Sequence, residues 1–311
     1  MIDKIPQVKQ LVILSGKGGT GKTTLSAALM HLLSESPFEG VFVDADVDAA
    51  NLALVTGAQI LETHLFASSQ SAFIDPGLCI ACGICEQVCR FGAILPPITE
   101  QEVYQVKDLL CEGCAACVHT CPESAIEMVQ QEDGEWYHSL TPYGHQFHAE
   151  LFPAAENTGK LVTTIKQHAK LYAEDHHIPL MLVDGPPGIG CPVISASAGA
   201  DLALLVAEPG VSGIHDLERI IKTLQHFRIP ALICVNKADL YERGTQDIRV
   251  LAEAYGYPIV GEIPFDESIP HAMVQAQPVT LFKPHSKASI AIRRIWKNIR
   301  DALFTKGATD D

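Results

Sequence analysis

Residues 10–24 read QLVILSGKGGTGKTT, and this stretch decides the fold. Its first five residues form a continuous apolar run, which is typical of a strand buried in a parallel sheet. GKGGTGKT at 16–23 satisfies the phosphate-loop pattern G-x-x-x-x-G-K-[ST], and residues 23–33 place Leu and Ala at helical spacing. Strand, glycine-rich loop and helix in this order predict a nucleotide-phosphate site.

The spacing of the loop has a chemical reason. Glycines let the backbone wrap closely around phosphate oxygens, and the start of the following helix adds partial positive charge. We expect Lys22 to reach the β- and γ-phosphates and Thr23 to bind Mg²⁺ through its hydroxyl. The alternative is a glycine-rich turn without a ligand. The predicted nucleotide-contacting residues of the loop are Gly16, Lys17, Gly18, Gly19, Thr20, Gly21, Lys22, Thr23 and Thr24.

The rest of the chain alternates short apolar runs with helical patterns. Further strands are predicted at 41–43, 180–183, 202–207, 231–235 and 257–263, and helices at 159–174 and 212–227. This alternation predicts βαβ units and a doubly wound, mostly parallel α/β sheet of the P-loop NTPase class. Residues 132–157 are rich in aromatic residues and histidine without a clear period, so we expect irregular structure there.

Acidic residues follow two predicted strands. Asp44, Asp46 and Asp48 follow the strand at 41–43, and Asp184 begins a D-x-x-x-G pattern that ends at Gly188. Ligands bind at the carboxyl ends of strands in such sheets. We expect Asp184 to hold a Mg²⁺-bound water and Gly188 to offer its N–H to the γ-phosphate. A solvated acidic loop is the alternative.

A third polar cluster is a candidate for binding the nucleotide base. Asn236, Lys237 and Asp239 form an N-K-x-D pattern directly after the strand at 231–235. Such a pattern at a strand end can bind the base of a nucleotide, or it can be a simple turn. The pattern by itself does not choose between ATP and GTP.

Eight of the ten cysteines fall between residues 79 and 121. They form C-x₂-C-x₂-C-x₃-C twice, the pattern of bacterial ferredoxins with two [4Fe–4S] clusters. In that pattern the fourth cysteine of each run binds the other cluster. We therefore assign one cluster to Cys79, Cys82, Cys85 and Cys121, and the other to Cys111, Cys114, Cys117 and Cys89. Zinc is the rival metal, but it needs only four ligands in two pairs.

The cysteine-rich segment also divides the chain. Residues 73–129 carry Gly and Pro punctuation and only short apolar runs, so they depend on metal for their fold. They hold the chain's internal repeat. We predict an inserted ferredoxin-like α+β domain at 73–129, within an ATPase domain made of 1–72 and 130–311. Arg90 follows Cys89 where such patterns usually have Pro, and its charge could raise a cluster potential.

These motifs together resemble one family. The loop K-G-G-x-G-K-[ST]-T, a deviant Walker A motif, and the segment Asp184-Gly-Pro-Pro-Gly-Ile-Gly-Cys191 resemble the MinD/ParA superfamily of P-loop ATPases carrying an inserted two-cluster ferredoxin domain. Mrp-type ATPases and the nitrogenase iron protein are related. The resemblance covers nearly the whole chain and also includes the segment 158–161.

The resemblance implies roles for individual residues. Lys17 would reach the partner's phosphates in a nucleotide-dependent homodimer, or in a heterodimer with a paralogue; a solvated surface lysine is the alternative. Asp46 would be the switch I aspartate that orients the attacking water and contacts the Mg²⁺ shell, and Asp44 could share that shell. Adenine would be the base, contacted mainly by Asn236.

Two further features have competing interpretations. Cys191 lies where the nitrogenase iron protein has a cluster ligand, but buried packing is the commoner role for such a cysteine. The pattern at 290–304 predicts an amphipathic C-terminal helix. It packs on the sheet, or it contacts a membrane.

The composition excludes some functions. The formal net charge of −15 argues against extensive nucleic-acid binding. No signal peptide and no membrane-spanning stretch are recognised, so we expect a cytoplasmic protein, in an anaerobic prokaryote. The expected activity is hydrolysis of ATP to ADP and phosphate coupled to electron transfer, with an unidentified redox or iron–sulfur acceptor protein. An iron–sulfur carrier, or a positioning ATPase with sensing clusters, are the alternatives.

Overall fold

The computed structural model describes residues 8–99, 102–153, 155 and 158–304. Within these residues the strands are β1 Lys9–Ser15, β2 Gly40–Asp44, β3 Gln59–Phe66, β4 Ser69–Ile74, β5 Ile94–Leu95, β6 Gln105–Val106, β7 Ile126–Gln131, β8 Gly134–Thr141, β9 Gly144–Leu151, β10 Leu180–Pro187, β11 Leu202–Ala207, β12 Ala231–Asn236 and β13 Ile259–Ile263. The α-helices are α1 Lys22–Ser34, α2 Leu52–Thr56, α3 Ile84–Val88, α4 Ala116–Thr120, α5 Thr158–Asp175, α6 Cys191–Ser197, α7 Val211–His226, α8 Glu242–Tyr255, α9 Ser268–Val274, α10 Val279–Phe282 and α11 Lys287–Phe304.

The described residues form two compact units. The larger unit comprises the described residues up to His64, Trp136–Glu150 and the described residues from Thr158 onward. The smaller unit comprises Leu65–Glu135 and the described residues of the segment 151–157.

The larger unit is built on a nine-stranded sheet in the order β13-β12-β11-β1-β10-β2-β9-β8-β3. The pairs from β13 through β9 are all parallel. β1 lies near the middle because its apolar run is buried on both faces. The predicted mostly parallel α/β sheet is confirmed, and each strand predicted from the sequence is present. Their bounds agree within two residues, except that the strand predicted at 180–183 continues to Pro187.

The prediction of irregular structure at 132–157 is wrong. Residues 134–151 form the neighbouring strands β8 and β9, joined by a two-residue link that permits only an antiparallel hairpin. Rings fill the buried positions: His138 stacks on Phe147 at 4.5 Å between centroids, and Trp136 stacks on His168 at 4.2 Å. Because histidine takes places that aliphatic residues usually occupy, the period-2 alternation of a strand is hidden in the sequence.

The C-terminal helix α11 packs against the core of the larger unit. Ile292, Ile295, Trp296 and Ile299 are buried in the same apolar cluster as the helix after the phosphate loop. A Cβ on Gly261 of β13 would collide with Ile295, so α11 lies directly against that strand. The predicted packing on the core is confirmed, and the apolar face on which a membrane contact would depend is buried in this packing. Among the described residues, no helix is both long and apolar enough to cross a membrane.

The smaller unit contains two antiparallel strand pairs, β4 with β7 and β5 with β6. Its backbone repeats at an interval of 32 residues. Adding 32 to the numbers of α3, 84–88, gives α4, 116–120. The hydrogen bond from Asp75 N to Ala125 O (2.8 Å) has its counterpart from Lys107 N to Ala93 O (2.7 Å).

Candidate nucleotide and cysteine sites

The phosphate loop joins β1 to α1 at the carboxyl edge of the sheet. Gly19 and Gly21 have positive φ angles of 77° and 93°, a backbone conformation that favours glycine. Asn236 Nδ2 donates a 2.7 Å hydrogen bond to Thr20 O, and a Cβ on Gly21 would collide with that amide. Asn236 of the N-K-x-D pattern therefore anchors the phosphate loop.

A cavity of about 910 Å³ opens beside this loop. The predicted site residues that line it are Gly18, Gly19, Gly21, Lys22, Thr23, Thr24, Asp46, Asp48, Asn236 and Lys237. The predicted residues outside the described lining are Gly16, Lys17, Thr20, Asp184, Gly188 and Asp239. The Thr24 hydroxyl donates to Met273 Sδ at 3.5 Å, across to α9.

Lys22 and Asp184 form the buried electrostatic centre of the site. Burial lowers the pKa of Lys22, although Asp184, Asp46 and Asp44 oppose the shift. Burial raises the pKa of Asp184 to about 6, against the effect of Lys22 and of the hydroxyls of Ser26 and Thr23. Neither charge is solvated by water, so each depends on the other groups of the site.

Two buried oxygens of this region have no hydrogen-bond partner among the described residues, namely Thr20 Oγ1 and Asp184 Oδ2. The other oxygen of Asp184 accepts a 2.8 Å bond from Ser26 Oγ. Unpartnered buried polar atoms are costly, and a phosphate oxygen or a water of hydrated Mg²⁺ is a partner of the kind that these two atoms lack. The residues present therefore fit Mg²⁺ and a nucleotide phosphate.

The three switch aspartates have different environments. Asp44 is buried, pairs in register with Asp184 across β2 and β10, and accepts from Leu52 N (3.0 Å) and Asp46 N (3.2 Å). Burial and the charge of Asp184 raise the pKa of Asp44 well above its usual range. Its carboxylate therefore holds the loop that presents Asp46 to the cavity. Asp48 is exposed.

Lys17 points along the surface toward α7. Its Nζ lies 3.4 Å from Glu208 Oε2 and 3.4 Å from Ser212 Oγ, while Glu208 Oε1 accepts a 2.8 Å bond from Lys237. Burial by itself would raise the pKa of Glu208, but Lys237 and Lys17 hold this pKa below its ordinary value. Lys17 thus has an acidic partner within its own chain.

Two predicted contacts to nucleotide are not free for that role in this structure. Gly188, at a positive φ of 94°, donates its N–H to Ser15 O at 3.0 Å. Asp239 Oδ1 accepts a 2.6 Å bond from Phe265 N, and Phe265 lines the cavity. Asp239 therefore shapes the cavity wall through Phe265.

Residues after β13 complete the cavity, and the sequence analysis did not identify them. Pro264, Phe265 and Ile269 line it, as does Leu54 of α2. Their position in the sequence could have identified them, because Pro264 and Phe265 directly follow a strand at the carboxyl edge where ligands bind.

The eight clustered cysteines line two cavities of the smaller unit. One is lined by Cys79, Cys82, Cys85 and Cys121, and the other by Cys89, Cys111, Cys114 and Cys117. None of the ten cysteines is in a disulfide. Among the described residues, no three His, Cys, Asp or Glu side chains converge closely enough to hold a single metal ion.

The backbone around the cysteines is shaped alike in both runs. Ala81 and Gly83 have positive φ angles of 54° and 79°, and Gly113 and Ala115, 32 residues later, have 64° and 57°. The Ala125 N–H donates to Cys121 Sγ at 3.3 Å. Positive φ at alanine is strained, and such strain is characteristic of sites where the backbone curls around a ligand.

The two remaining cysteines differ in exposure. Cys234 is fully buried in β12, as expected for a core residue, and burial raises its pKa to about 12. Cys191 begins α6 and is exposed, so the interpretation as buried packing is wrong.

Comparisons with known proteins agree with this geometry. The family model of the CobQ/CobB/MinD/ParA nucleotide binding domain matches residues 11–279. An uncharacterized protein of Methanocaldococcus jannaschii, MJ0578, is 34% identical over 305 residues, covering 97% of this chain and 100% of that protein. A second protein of that organism, MJ0579, is 29% identical and covers 83% and 87%.

Relatives of known name and solved structures are more distant. The septum site-determining protein MinD of Bacillus subtilis is 25% identical, covering 93% of this chain and 88% of that protein. The structure of MinD from Pyrococcus horikoshii, complexed with Mg-ADP, has a TM-score of 0.59 at 19% identity, covering 97% and 99%. At that identity the likeness concerns the fold.

Proposed function

The chain belongs to the CobQ/CobB/MinD/ParA nucleotide-binding family, and from this premise we propose that it binds and hydrolyses ATP and couples this reaction to two [4Fe–4S] clusters. The observation that carries the proposal is one chain with a phosphate-loop cavity and two four-cysteine cavities. The most specific form of the proposal is ATP-gated electron transfer by an ATPase with an inserted ferredoxin-like domain at 73–129.

The roles in hydrolysis follow from burial and charge. Lys22 binds the β- and γ-phosphates, whose negative charges replace the water that burial removes from its ammonium group. Thr23 and Asp184 hold Mg²⁺ and its water, and Asp46, which lines the cavity, orients the attacking water. Mg²⁺ supplies charge neutralisation at the phosphates.

We propose ATP as the nucleotide, since MinD from P. horikoshii binds Mg-ADP. A guanine-reading Asp must have a free carboxylate in the base pocket. Here Asp239 lies outside the described lining of the cavity, and one of its two carboxylate oxygens already accepts the 2.6 Å bond from Phe265 N. The apolar wall of Pro264 and Phe265 suits stacking against a purine without reading its edge.

Lys17 is proposed to act across a nucleotide-dependent dimer. Its contacts to Glu208 and Ser212 are both 3.4 Å long and partly exposed, so leaving them costs little free energy. A cation freed in this way stabilises the charge that develops on a partner's γ-phosphate. Because MJ0578 and MJ0579 are two relatives within one organism, a heterodimer with a paralogue is the second form of this proposal.

We propose that each cysteine cavity holds one [4Fe–4S] cluster. Four thiolates around a cavity, instead of around a point, suit a cubane in which each cysteine binds a different iron, whereas zinc draws its four sulfurs to about 2.3 Å of a single ion. N–H donation to Cys121 Sγ and Cys111 Sγ stabilises thiolate charge. When bound, the clusters supply one-electron transfer.

Iron content tests the cluster proposal. Protein purified anaerobically should contain about eight iron and eight sulfide per chain. Cys82→Ser should lose about half of both, because Cys82 lines one cavity only, whereas Cys191→Ser should lose none. Folded, iron-free protein would contradict the proposal, and so would equal loss in both variants.

Reduction potentials test the coupling. An EPR-monitored titration with and without MgATP should show a nucleotide-dependent shift of at least one cluster. No shift, with clusters that resist chelators, would favour the positioning ATPase with structural or sensing clusters. Transfer of a cluster to an apo-acceptor would favour the carrier.

A further inference from the structure

The strand β3 lies at the end of the nine-stranded sheet, and no other described strand pairs with its outer edge. It is eight residues long, reads QILETHLF, and holds no Pro, Gly, Lys or Arg. Edge strands that must stay unpaired usually carry Pro or several charged side chains, especially Lys, or they are short or bulged; the Asp, Glu, Lys and Arg side chains of β3 amount to Glu62 alone. Leu61 and Leu65 lie on one face of β3 and are 52% and 57% exposed, while Ile60 on the opposite face is 57% exposed.

The opposite edge of the same sheet shows the protection that β3 lacks. β13 has five residues, includes Gly261, and meets β12 with a shift of register between Ile233 and Cys234. Ile295 of α11 packs directly on it. The contrast within one sheet indicates that β3 is built to be paired.

The sequence of β3 complements itself. If two copies of β3 pair antiparallel about Thr63, side chains that face each other are chemically matched. The facing pairs, each formed twice by the two-fold axis, are Ile60 with Phe66, Leu61 with Leu65, and Glu62 with His64, while Thr63 faces itself.

Other registers lose this match. A centre at Glu62 places two carboxylates opposite each other and pairs Leu61 with Thr63, and a centre at His64 pairs Glu62 with Phe66. Like charges directly opposite are destabilising. The rings also preorganise the strand, because His64 stacks on Trp136 of β8 at 4.0 Å and lies 3.1 Å from Glu62.

We propose that β3 is the docking surface for a second copy of this chain, which adds its own β3 antiparallel about Thr63 to form one continuous sheet across a two-fold axis. Main-chain hydrogen bonds contribute affinity, and the Leu61–Leu65 and Glu62–His64 pairs set the register. This interface uses no residue of the nucleotide site, so it forms without nucleotide and persists in Lys17→Ala.

Sedimentation equilibrium of nucleotide-free holoprotein tests the pairing. The parent protein should be dimeric at micromolar concentration. Glu62→Lys puts a cation opposite His64 twice and should raise the dimer dissociation constant about tenfold or more. Glu62→Lys/His64→Glu restores opposite charges only in this register and should recover most of the affinity. Val250→Lys, at an exposed site on α8, is the matched control and should change nothing.

Cysteine crosslinking tests the register independently. In the proposed pair Thr63 faces its own copy, so Thr63→Cys treated with a thiol oxidant such as diamide, which takes up the two electrons and two protons, should form a disulfide-linked dimer through residue 63, identified by peptide mass. Gln59→Cys, on the same strand, faces residue 67 of the partner and should not link to itself. A monomeric parent protein, equal affinity of the single and double charge variants, or equal crosslinking at 59 and 63 would each overturn the proposal.

Discussion

At the scale of residues, the nucleotide site centres on Lys22, which is almost fully buried and interacts electrostatically with three aspartates. Burial lowers the pKa of Lys22 and raises that of Asp184 to about 6, so burial disfavours the charged form of each group. Ligand charges of opposite sign stabilise these charged forms. Asp44 supports the loop, and Asp46 is left to face the cavity.

Replacement of Lys17 tests the role of its charge. Under the proposed role of Lys17 on a partner's phosphate, Lys17→Ala should lower kcat for ATP hydrolysis by about a thousandfold while leaving ATP binding within several-fold. Ser212→Ala removes only its hydroxyl partner and should keep nearly full turnover. Unchanged turnover in Lys17→Ala would remove the role in trans.

His148 makes stability depend on pH. Burial lowers the pKa of His148 to about 4, and its Nε2 is 2.9 Å from Ser139 Oγ. An unfolded histidine titrates near pH 6.5, so the unfolded chain takes up a proton that the folded chain refuses. This contribution is full above pH 6.5 and is lost as the pH falls toward 4, on the order of 3 kcal/mol.

Denaturant unfolding at pH 7.5 and 4.5 measures this effect. His148→Gln should reduce the loss of stability between the two pH values relative to the parent. His215→Gln changes a histidine whose side chain is 70% exposed and should leave the loss unaltered. Identical pH dependence in parent and His148→Gln would contradict the assignment.

At the scale of elements, a lysine of α5 donates hydrogen bonds to the C-terminal end of α6. Lys166 Nζ donates to Ser195 O (2.8 Å), Ala196 O (2.7 Å) and Ala198 O (2.8 Å). These are carbonyls at the C-terminal end of α6, where a helix has no further N–H donors of its own. The short helix after the Asp184–Gly188 segment is thus held by a lysine from another element.

Lys166→Met tests how much these three hydrogen bonds contribute to stability. The variant keeps the apolar stem but leaves three carbonyls without their charged donor, so the free energy of unfolding should fall by about 2–4 kcal/mol. Lys170→Met lies one turn later on α5, where the side chain is 57% exposed beside Glu174, and should change stability by less than about 0.5 kcal/mol. Equal effects in both variants would show that the carbonyl contacts contribute nothing.

At the scale of the whole molecule, the two units differ in how they can be stable. The larger unit has an extensive apolar core around β1, α1 and α11. In the smaller unit the described buried apolar cluster is Ala72, Ile74, Cys85, Ile94 and Ile126, and other cysteines pack against it. A core this small, with five further cysteines packed against it, depends for its stability on the proposed clusters.

Removal of iron should therefore affect the units unequally. After treatment with a chelator under reducing conditions, limited proteolysis should cut within 73–129, while the larger unit stays intact and still binds ATP. Mass mapping of fragments and nucleotide-binding titration measure both results. Resistance of the smaller unit without iron would show that its fold does not need metal.

Local patterns carried much of the prediction. The strand, loop and helix at 10–33 and the cysteine spacing were readable because a few neighbouring residues determine each of them. The two groups of four cysteines named from spacing are the groups that line the two cavities. Strands β8 and β9 were missed because histidine and tryptophan rings, stacked by distant partners, fill their buried positions.

By itself the sequence determined the phosphate loop, the alternation of strands and helices with polar residues at the strand ends, and the division of eight cysteines into two sets of four. Each of these depends on the spacing of residues that are close together in the chain. The tertiary structure alone decided that Asp239 holds Phe265, that Gly188 bonds to Ser15, that Cys191 is exposed and that β3 is an edge. The physical reason is that a hydrogen-bond partner or a free edge depends on residues far apart in the chain, which only folding brings together.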